Sequence, residues 1–326
     1  MNTVNPFNIT NDTLLFFDIF HKNNKVYLIQ PVYSSIPLNL STLKLTSNNT
    51  ELILEKVLSK ISREPTQILI YTFQSTDSTN IITVTYKSVS REYILEHIQS
   101  SVNNVLSITT LFKNDYNLIN IFYDYYIKQG VTHFYMYYNG ILTDVIRNKF
   151  NLPNITLIEW NYKYWNDKSC IFAHHAQLGQ IHHAIYKYGK DNNSHMIFCD
   201  LDEYMYNDNS TLKNMVVQFD SVDVFGFCNI WSNTLDNKIP DIFPTIFNID
   251  DQYNFSKRSK CIYKLSSIST ISIHGQHILK TSLIKMLNYK LFHFYNWSGK
   301  CRIISTPHTY SIKDNKLIDG NGDIII

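Results

Sequence analysis

Apolar and polar positions along this chain follow two periods, and the change between them falls near residue 105. Before it, short runs have strand character: Thr13 to Phe20, Lys25 to Pro31, Gln67 to Phe73, and Asn80 to Lys87, where ITVTY alternates strictly. The HKNNK segment between the first two runs has hairpin composition. Helical spacing is expected at Glu51 to Ser62 and at Arg91 to Ser100. No catalytic constellation stands out here, so residues 1–105 read as a β-rich accessory domain with a packing or binding role.

From Val105 onward, strand-length apolar runs alternate with helical ones. VLSITTLF is a strand, and DYNLINIFYDYYIKQ (115–129) sets Leu118, Phe122 and Tyr125 on one helical face, with Gly130 suited to the left-handed position after it. VTHFYMYY (131–138) is the next strand and Asn139-Gly140 a turn. A short helix at Asp144 to Phe150, a strand at ITLIEW (155–160) and a long helix from Ser169 to Tyr188, stopped by Gly189, follow. This order predicts an α/β domain over residues 106–326 with a mostly parallel sheet in three layers. Ligands of such sheets sit at the carboxyl ends of the strands, where Asp115 and Asn139 fall.

The next strand is expected over residues 195–201, in the stretch HMIFCDLDEYMY. Alternate side chains of a strand share a face, so Asp200 and Asp202 would point the same way, roughly 7 Å apart at Cα. Two acids at the end of a buried strand repel one another and resist desolvation. A divalent cation removes both problems, and oxygen ligands suit Mg²⁺ or Mn²⁺. Further on, Thr211 to Gln218 reads as a helix, VDVFGFCNIW (222–231) as strand, and residues 232–256 as loop. IYKL is strand-like, while ISIHGQH (271–277) and LFHFYNW (291–297) each carry histidine.

Composition narrows the field. A net charge of +2 without a basic block gives no reason to expect nucleic acid as a partner. Five scattered cysteines without C-x-x-C spacing argue against a disulfide framework or a zinc site and for a reducing compartment. The first twenty residues lack a basic leader, and Asp18 interrupts their apolar run. The expectation is therefore a soluble protein, cytoplasmic or in another reducing compartment, with no signal peptide or membrane anchor. His174-His175 and His182-His183 invite a metal reading, but His175 and His182 stand about 10 Å apart along a helix. They are expected to be helix-face residues.

Several runs, in order, carry a resemblance. LFKNDYNLINIFYDYYIKQGVTHFYMYYNG, Gln177 within AHHAQLGQIHHAIYKYG, FCDLDEYMY, NIWSN, KRSKCIYKL, and then IHG with LFHFY together resemble the glycosyltransferases of family 92 and their family 2-like relatives. Three positions depart from that pattern. Asp115 stands for Glu, Tyr138 for an Asp, and Phe294 for a Tyr after His293.

The resemblance implies a GT-A fold, with a Rossmann-like, mostly parallel sheet, behind an N-terminal β-rich module. It implies transfer of a sugar, galactose first, from a UDP-sugar to a glycan hydroxyl, with inversion and with Mn²⁺ or Mg²⁺. Asp115, Asn139, Gln177, Asp200 and Lys260 would hold the donor, with Lys257 and Arg258 as further phosphate contacts. Asp202 would ligate the metal directly, Asp200 would touch the ribose or a metal-bound water, and Glu203 would orient the loop. His293, then His274, would complete the metal site, since an imidazole suits Mn²⁺ better than Mg²⁺. Trp231 would face the acceptor sugar. Asp241, ahead of Asp236, would be the general base.

Two rivals remain at this point. A haloacid-dehalogenase-type phosphatase also ends a strand in D-x-D, but it wants Thr or Val where Tyr204 stands, and its motif opens the domain. A glycan- or nucleotide-binding protein without turnover is opposed by the intact Asp200/Asp202 pair.

Overall fold

Strand alternation and asparagine turns organise the first hundred residues, as the computed structural model shows for residues 4–11, 13–33, 39–59, 66–76, 80–98, 104–164, 175–273, 284–285, 289–298, 307–314 and 316–324. The strands are β1 (Phe7–Thr10), β2 (Thr13–Phe16), β3 (Asp18–Lys22), β4 (Lys25–Tyr33), β5 (Leu43–Ser47), β6 (Thr50–Glu51), β7 (Leu54–Ser59), β8 (Thr66–Gln74), β9 (Ile81–Tyr86), β10 (Val89–Ile94) and β11 (His97–Ile98). They form a β1–β2 pair, a four-stranded sheet β10-β9-β5-β6 and a five-stranded sheet β11-β3-β4-β8-β7. The β3–β4 turn is Asn23-Asn24, both at positive φ, the backbone a two-residue hairpin needs and asparagine tolerates. Neither helix expected here forms among the described residues: Leu54–Ser59 and Val89–Ile94 are strands. Their apolar spacing is helical, but β7 completes the β8 edge and β10 closes a hairpin on β9 through Lys87 at φ 54°. Ladder pairing outweighs the weak local preference.

The remainder alternates as expected and then departs from it. Its elements are β12 (Asn104–Phe112), α1 (Ile119–Lys128), β13 (His133–Tyr138), α2 (Asp144–Lys149), β14 (Ile155–Glu159), α3 (Ala176–His183), β15 (Asn193–Phe198), β16 (Glu203–Tyr206), α4 (Leu212–Gln218), β17 (Val224–Asn233), β18 (Ile246–Lys264), β19 (Ile284–Lys285), β20 (Lys290–His293), β21 (Pro307–Lys313) and β22 (Lys316–Asp319). α3 continues into a π-helical segment, Ala184–Gly189. Among the described residues, no helix is long and apolar enough to cross a membrane.

One eleven-stranded sheet spans this part, with path β14-β13-β12-β15-β18-β17-β20-β16. The first four strands are mutually parallel. Beyond them β18 is antiparallel to both β15 and β17, and β16 is antiparallel to β20. The sheet is therefore mixed rather than mostly parallel. The second half of the chain returns by direct strand reversals, without the helical crossovers that parallel neighbours require. β18 also corrects the loop expected over 232–256. Strand begins at Ile246, and register shifts against β17 blur its alternation.

Apolar packing joins the two parts of the chain. Leu14, Phe17 and Phe20 share one buried cluster with Trp160, Ile181, Ala184 and Ile185. A second cluster lies under α1 and α4, and a third lies within the N-terminal sheets.

Candidate active site

Order within the parallel unit locates the site. β12 comes first in the chain, β13 and β14 add on one side, and β15 adds on the other. Strand order reverses between β12 and β15, and the crevice at the carboxyl ends of such a pair is where ligands bind. The chain leaves β12 toward Asp115 and leaves β15 toward Asp200.

Asp115 is held by its own loop. The Lys113 N–H donates to its Oδ1 at 3.1 Å, and its carbonyl accepts the Leu118 N–H at 2.9 Å, starting the turn that leads into α1. Burial lifts its carboxyl to about 6, and the charges of Asp202 and Asp200 push the same way. The two loops therefore place three acids within electrostatic reach of one another.

Asp200 and Asp202 do not share a strand face. β15 ends at Phe198, and residues 199–202 form a turn. The Glu203 N–H donates to the Asp200 carbonyl at 3.1 Å, and the Asp200 N–H donates to Glu203 Oε2 at 2.8 Å. The cause is non-local. β15 and β16 are adjacent in sequence but have three strands between them in the sheet, so the connection must cross over. Crossing sends the two acids to different partners. Asp200 Oδ1 accepts from Gln177 Nε2 at 3.2 Å and Oδ2 from Lys260 Nζ at 3.0 Å. Asp202, only 3% exposed, meets His293 Nε2 at 3.4 Å.

Two basic side chains answer these acids. Lys260, on β18, lies between Asp200 and Glu203 Oε2, the latter 3.3 Å away. Burial would lower the Lys260 amine, but Asp200 and Glu203 outweigh it and hold the group firmly protonated. Burial would likewise lower His293, and Asp202 first, then Glu203 and Asp200, raise it above the usual histidine range. Glu203 itself is raised, because its burial exceeds the help from Lys260 and His293. β20 delivers His293, pairing it with Glu203 on one side and Trp231 on the other. Asn229 Nδ2 lies 3.2 Å from His293 Nδ1 and fixes the ring.

The remaining expected residues divide. Gln177 is in the first turn of α3, where Tyr164 donates its hydroxyl to Oε1 at 2.6 Å. Asn139 spends its amide on the backbone: Nδ2 donates to the carbonyls of Trp160 at 2.9 Å and Tyr162 at 2.8 Å. It ties the end of β13 to the end of β14. Trp231 is half-buried, with its ring 5.4 Å from that of Tyr295. Asp236 and Asp241 lie on the exposed loop before β18, and Asp236 accepts the Lys238 N–H at 3.1 Å. Among the described residues, no hydrogen bond or ion pair joins either acid to the cluster. His274 and His174, and the side chains of Lys257 and Arg258, lie outside the described residues. Tyr164, Asn229 and Tyr295 were not anticipated, and a lone amide or phenol on a strand or loop gives no periodic signal.

The donor set suits a divalent cation by chemistry. Among the described residues, Asp200, Asp202 and Glu203 meet Lys260 and His293 and Asp115 lies near Asp202 and Asp200; burial first, and the neighbouring acids after it, raise the carboxyls of Asp115 and Glu203. Among the described residues no group of three or more His, Cys, Asp or Glu is arranged around one ion position. A protein cage is not required, since Mg²⁺ in nucleotide sites uses one or two carboxylates, with phosphate oxygens and water completing the shell.

Comparison with known proteins gives a family match. The profile of glycosyltransferase family 92 matches residues 103–319. No curated protein matches the chain. The match stands against the phosphatase reading.

Proposed function

The chain belongs to glycosyltransferase family 92, and we propose that it moves a sugar, galactose first in line, from a UDP-sugar to a glycan hydroxyl with inversion. Family membership supplies the reaction class, a sugar donor and a glycan acceptor. The order β14-β13-β12-β15 supports reading the parallel unit as the nucleotide-binding half of a GT-A fold.

One observation carries the reading. Two adjacent strand ends bring Asp115, Asp200 and Asp202 together at the order reversal, and β20 brings His293 to Asp202. As the glycosidic bond breaks, negative charge grows on the departing diphosphate. A Mn²⁺ held by Asp202 and His293, with Asp200 beside it, would supply positive charge there. Lys260 supplies a fixed positive charge from the protein itself. Glu203 keeps the 200–203 turn closed. Gln177 orients Asp200 toward the donor. Trp231 would face the acceptor, and Asp241, ahead of Asp236, would take the acceptor proton.

The test is a nucleotide-sugar panel with and without Mn²⁺, read as UDP release. Turnover of a UDP-sugar that depends on Mn²⁺ is expected, and Asp202→Ala should abolish it and weaken UDP binding. No turnover of any donor, together with unchanged UDP binding in Asp202→Ala, would overturn the metal and donor assignment.

A further inference from the structure

Strand β3 runs beside the helix that carries Gln177, and it touches that helix through two buried charges. Asp18, at the start of β3, is fully buried. Its Oδ2 lies 2.7 Å from His183 Nε2 and 2.8 Å from Lys187 Nζ, and its Oδ1 accepts the Asn5 N–H at 2.6 Å. The other His183 nitrogen, Nδ1, lies 2.7 Å from the Tyr137 hydroxyl. A carboxylate only accepts, so Nε2 carries the proton and Nδ1 accepts from Tyr137. Lys22, the last residue of β3, is 1% exposed. It donates to the carbonyls of Lys190 and, at 3.4 Å, Tyr186, at the C-terminal end of the π-helical segment. Helix ends leave such carbonyls without intrahelical partners, and a cation there is favoured.

Between those contacts the approach is close. A Cβ on Gly179 would come within 2.2 Å of Phe17 Cε2, so only glycine admits the Phe17 ring against α3. The Phe17 carbonyl accepts the Tyr162 hydroxyl at 2.6 Å, and Trp160 Nε1 donates to the carbonyl of Ala176, next to Gln177. One helix is thus gripped along its length by residues 17–22, and its first turn ends at Asp200 through Gln177.

We infer that β3 is a clamp that sets the position of α3, and through Gln177 that of Asp200, so that the N-terminal β region is a working part of the donor site. Asp18 and Lys22 are positioning residues. A loosely attached module would join through an exposed, polar surface. Here two charges are sunk in the junction, where they are tolerated only with partners in fixed geometry. This inference rests on reading Asp200 as part of the donor site.

The experiment compares Asp18→Asn, Lys22→Met and the exposed control Glu55→Gln in the full chain. It reads amide exchange in residues 176–189 and in α1, and binding of UDP with MnCl₂. Each clamp variant should lose protection in 176–189 by about tenfold or more beyond any loss in α1. UDP affinity should fall about tenfold, and adding Gln177→Ala to Asp18→Asn should weaken it no further, because both act through one path. Glu55→Gln should change neither reading. Unchanged exchange in 176–189, an equal loss in α1, or effects of Asp18→Asn and Gln177→Ala that multiply would each overturn the clamp. Lys22→Met carries the test if Asp18→Asn does not fold. If wild type binds no UDP, the donor-site reading fails, while selective loss of protection in 176–189 still supports the clamp.

Discussion

Two clusters of buried charge lie at opposite ends of the same short helix, and they are built in opposite ways. At its C-terminal end, Asp18 faces His183 and Lys187. Burial would raise the Asp18 carboxyl, but Lys187 and His183 outweigh it and hold it below the usual value. At the N-terminal end, beyond Gln177, four acids share Lys260 and His293, and Asp115 and Glu203 are raised. The first cluster is complete within the chain. The second holds more acids than bases among the described residues. Burial alone does not separate them, since Asp18, Asp202 and Glu203 are all nearly inaccessible. The balance of charge does: a group whose ionised form the fold favours serves stability, and one whose ionised form it penalises points to a ligand.

The largest predicted effect tests that division. Asp202→Asn is expected to lower glycosyl transfer by about 10²–10³-fold, the size found when a group stabilising transition-state charge is removed. Its midpoint of unfolding should move less than that of Asp18→Asn, because the loss of the His293 contact is offset by the loss of one repelling charge. Asp18→Asn should behave in reverse on stability, losing about 3–5 kcal/mol in urea unfolding, since it leaves the buried Lys187 amine without its acid. If Asp202→Asn were the more destabilising of the two, charge balance would not distinguish structural from functional acids here.

Legibility from sequence follows locality. β12, β13, β14 and β15, with α1 and α2 between them, were readable because apolar runs and their spacing are local properties. That carried the reading to the strand ends where Asp115, Asp200 and Asp202 lie near one another. The geometry of the two aspartates was not readable. It depends on β16 pairing with β20 at the far side of the sheet, a contact between residues about ninety positions apart. Asp18 shows the same limit from the other side. In sequence it is an acid that breaks an apolar run, and only the fold reveals His183 and Lys187 around it. The histidine pairs were read only as helix-face residues, and nothing local to them signals that His183 is fully buried against Asp18.

Dependence on pH sharpens the contrast at intermediate size. The Asp18 carboxyl is lowered, so its contribution to stability is present above its ordinary pKa and is lost as pH falls through the folded value. Asp115 has the opposite sign. Its pKa rises from 3.8 to about 6, so folding favours the protonated form and stability falls as pH rises across that window. Urea unfolding of wild type and Asp115→Asn at several pH values between 4 and 7 should show the variant gaining on wild type up to about pH 6 and then running parallel. Curves parallel throughout would mean that Asp115 carries no such penalty.

The smallest effect lies on the helix that links the two clusters. Tyr164 donates to Gln177 Oε1 at 2.6 Å, and this leaves Gln177 Nε2 to donate to Asp200. Removing the hydroxyl deletes one hydrogen bond between partly exposed groups, a loss of about 1 kcal/mol or a little more. Tyr164→Phe should therefore raise the donor KM by about three- to tenfold with kcat nearly unchanged, because the amide loses its bias toward Asp200 while the acid keeps Lys260. Stability should move little, since Tyr164 is 39% exposed. A fall in kcat with KM unchanged would place Gln177 and Tyr164 in the bond-breaking step. A large loss of stability would move them to the structural side of the division, where Asp18 already stands.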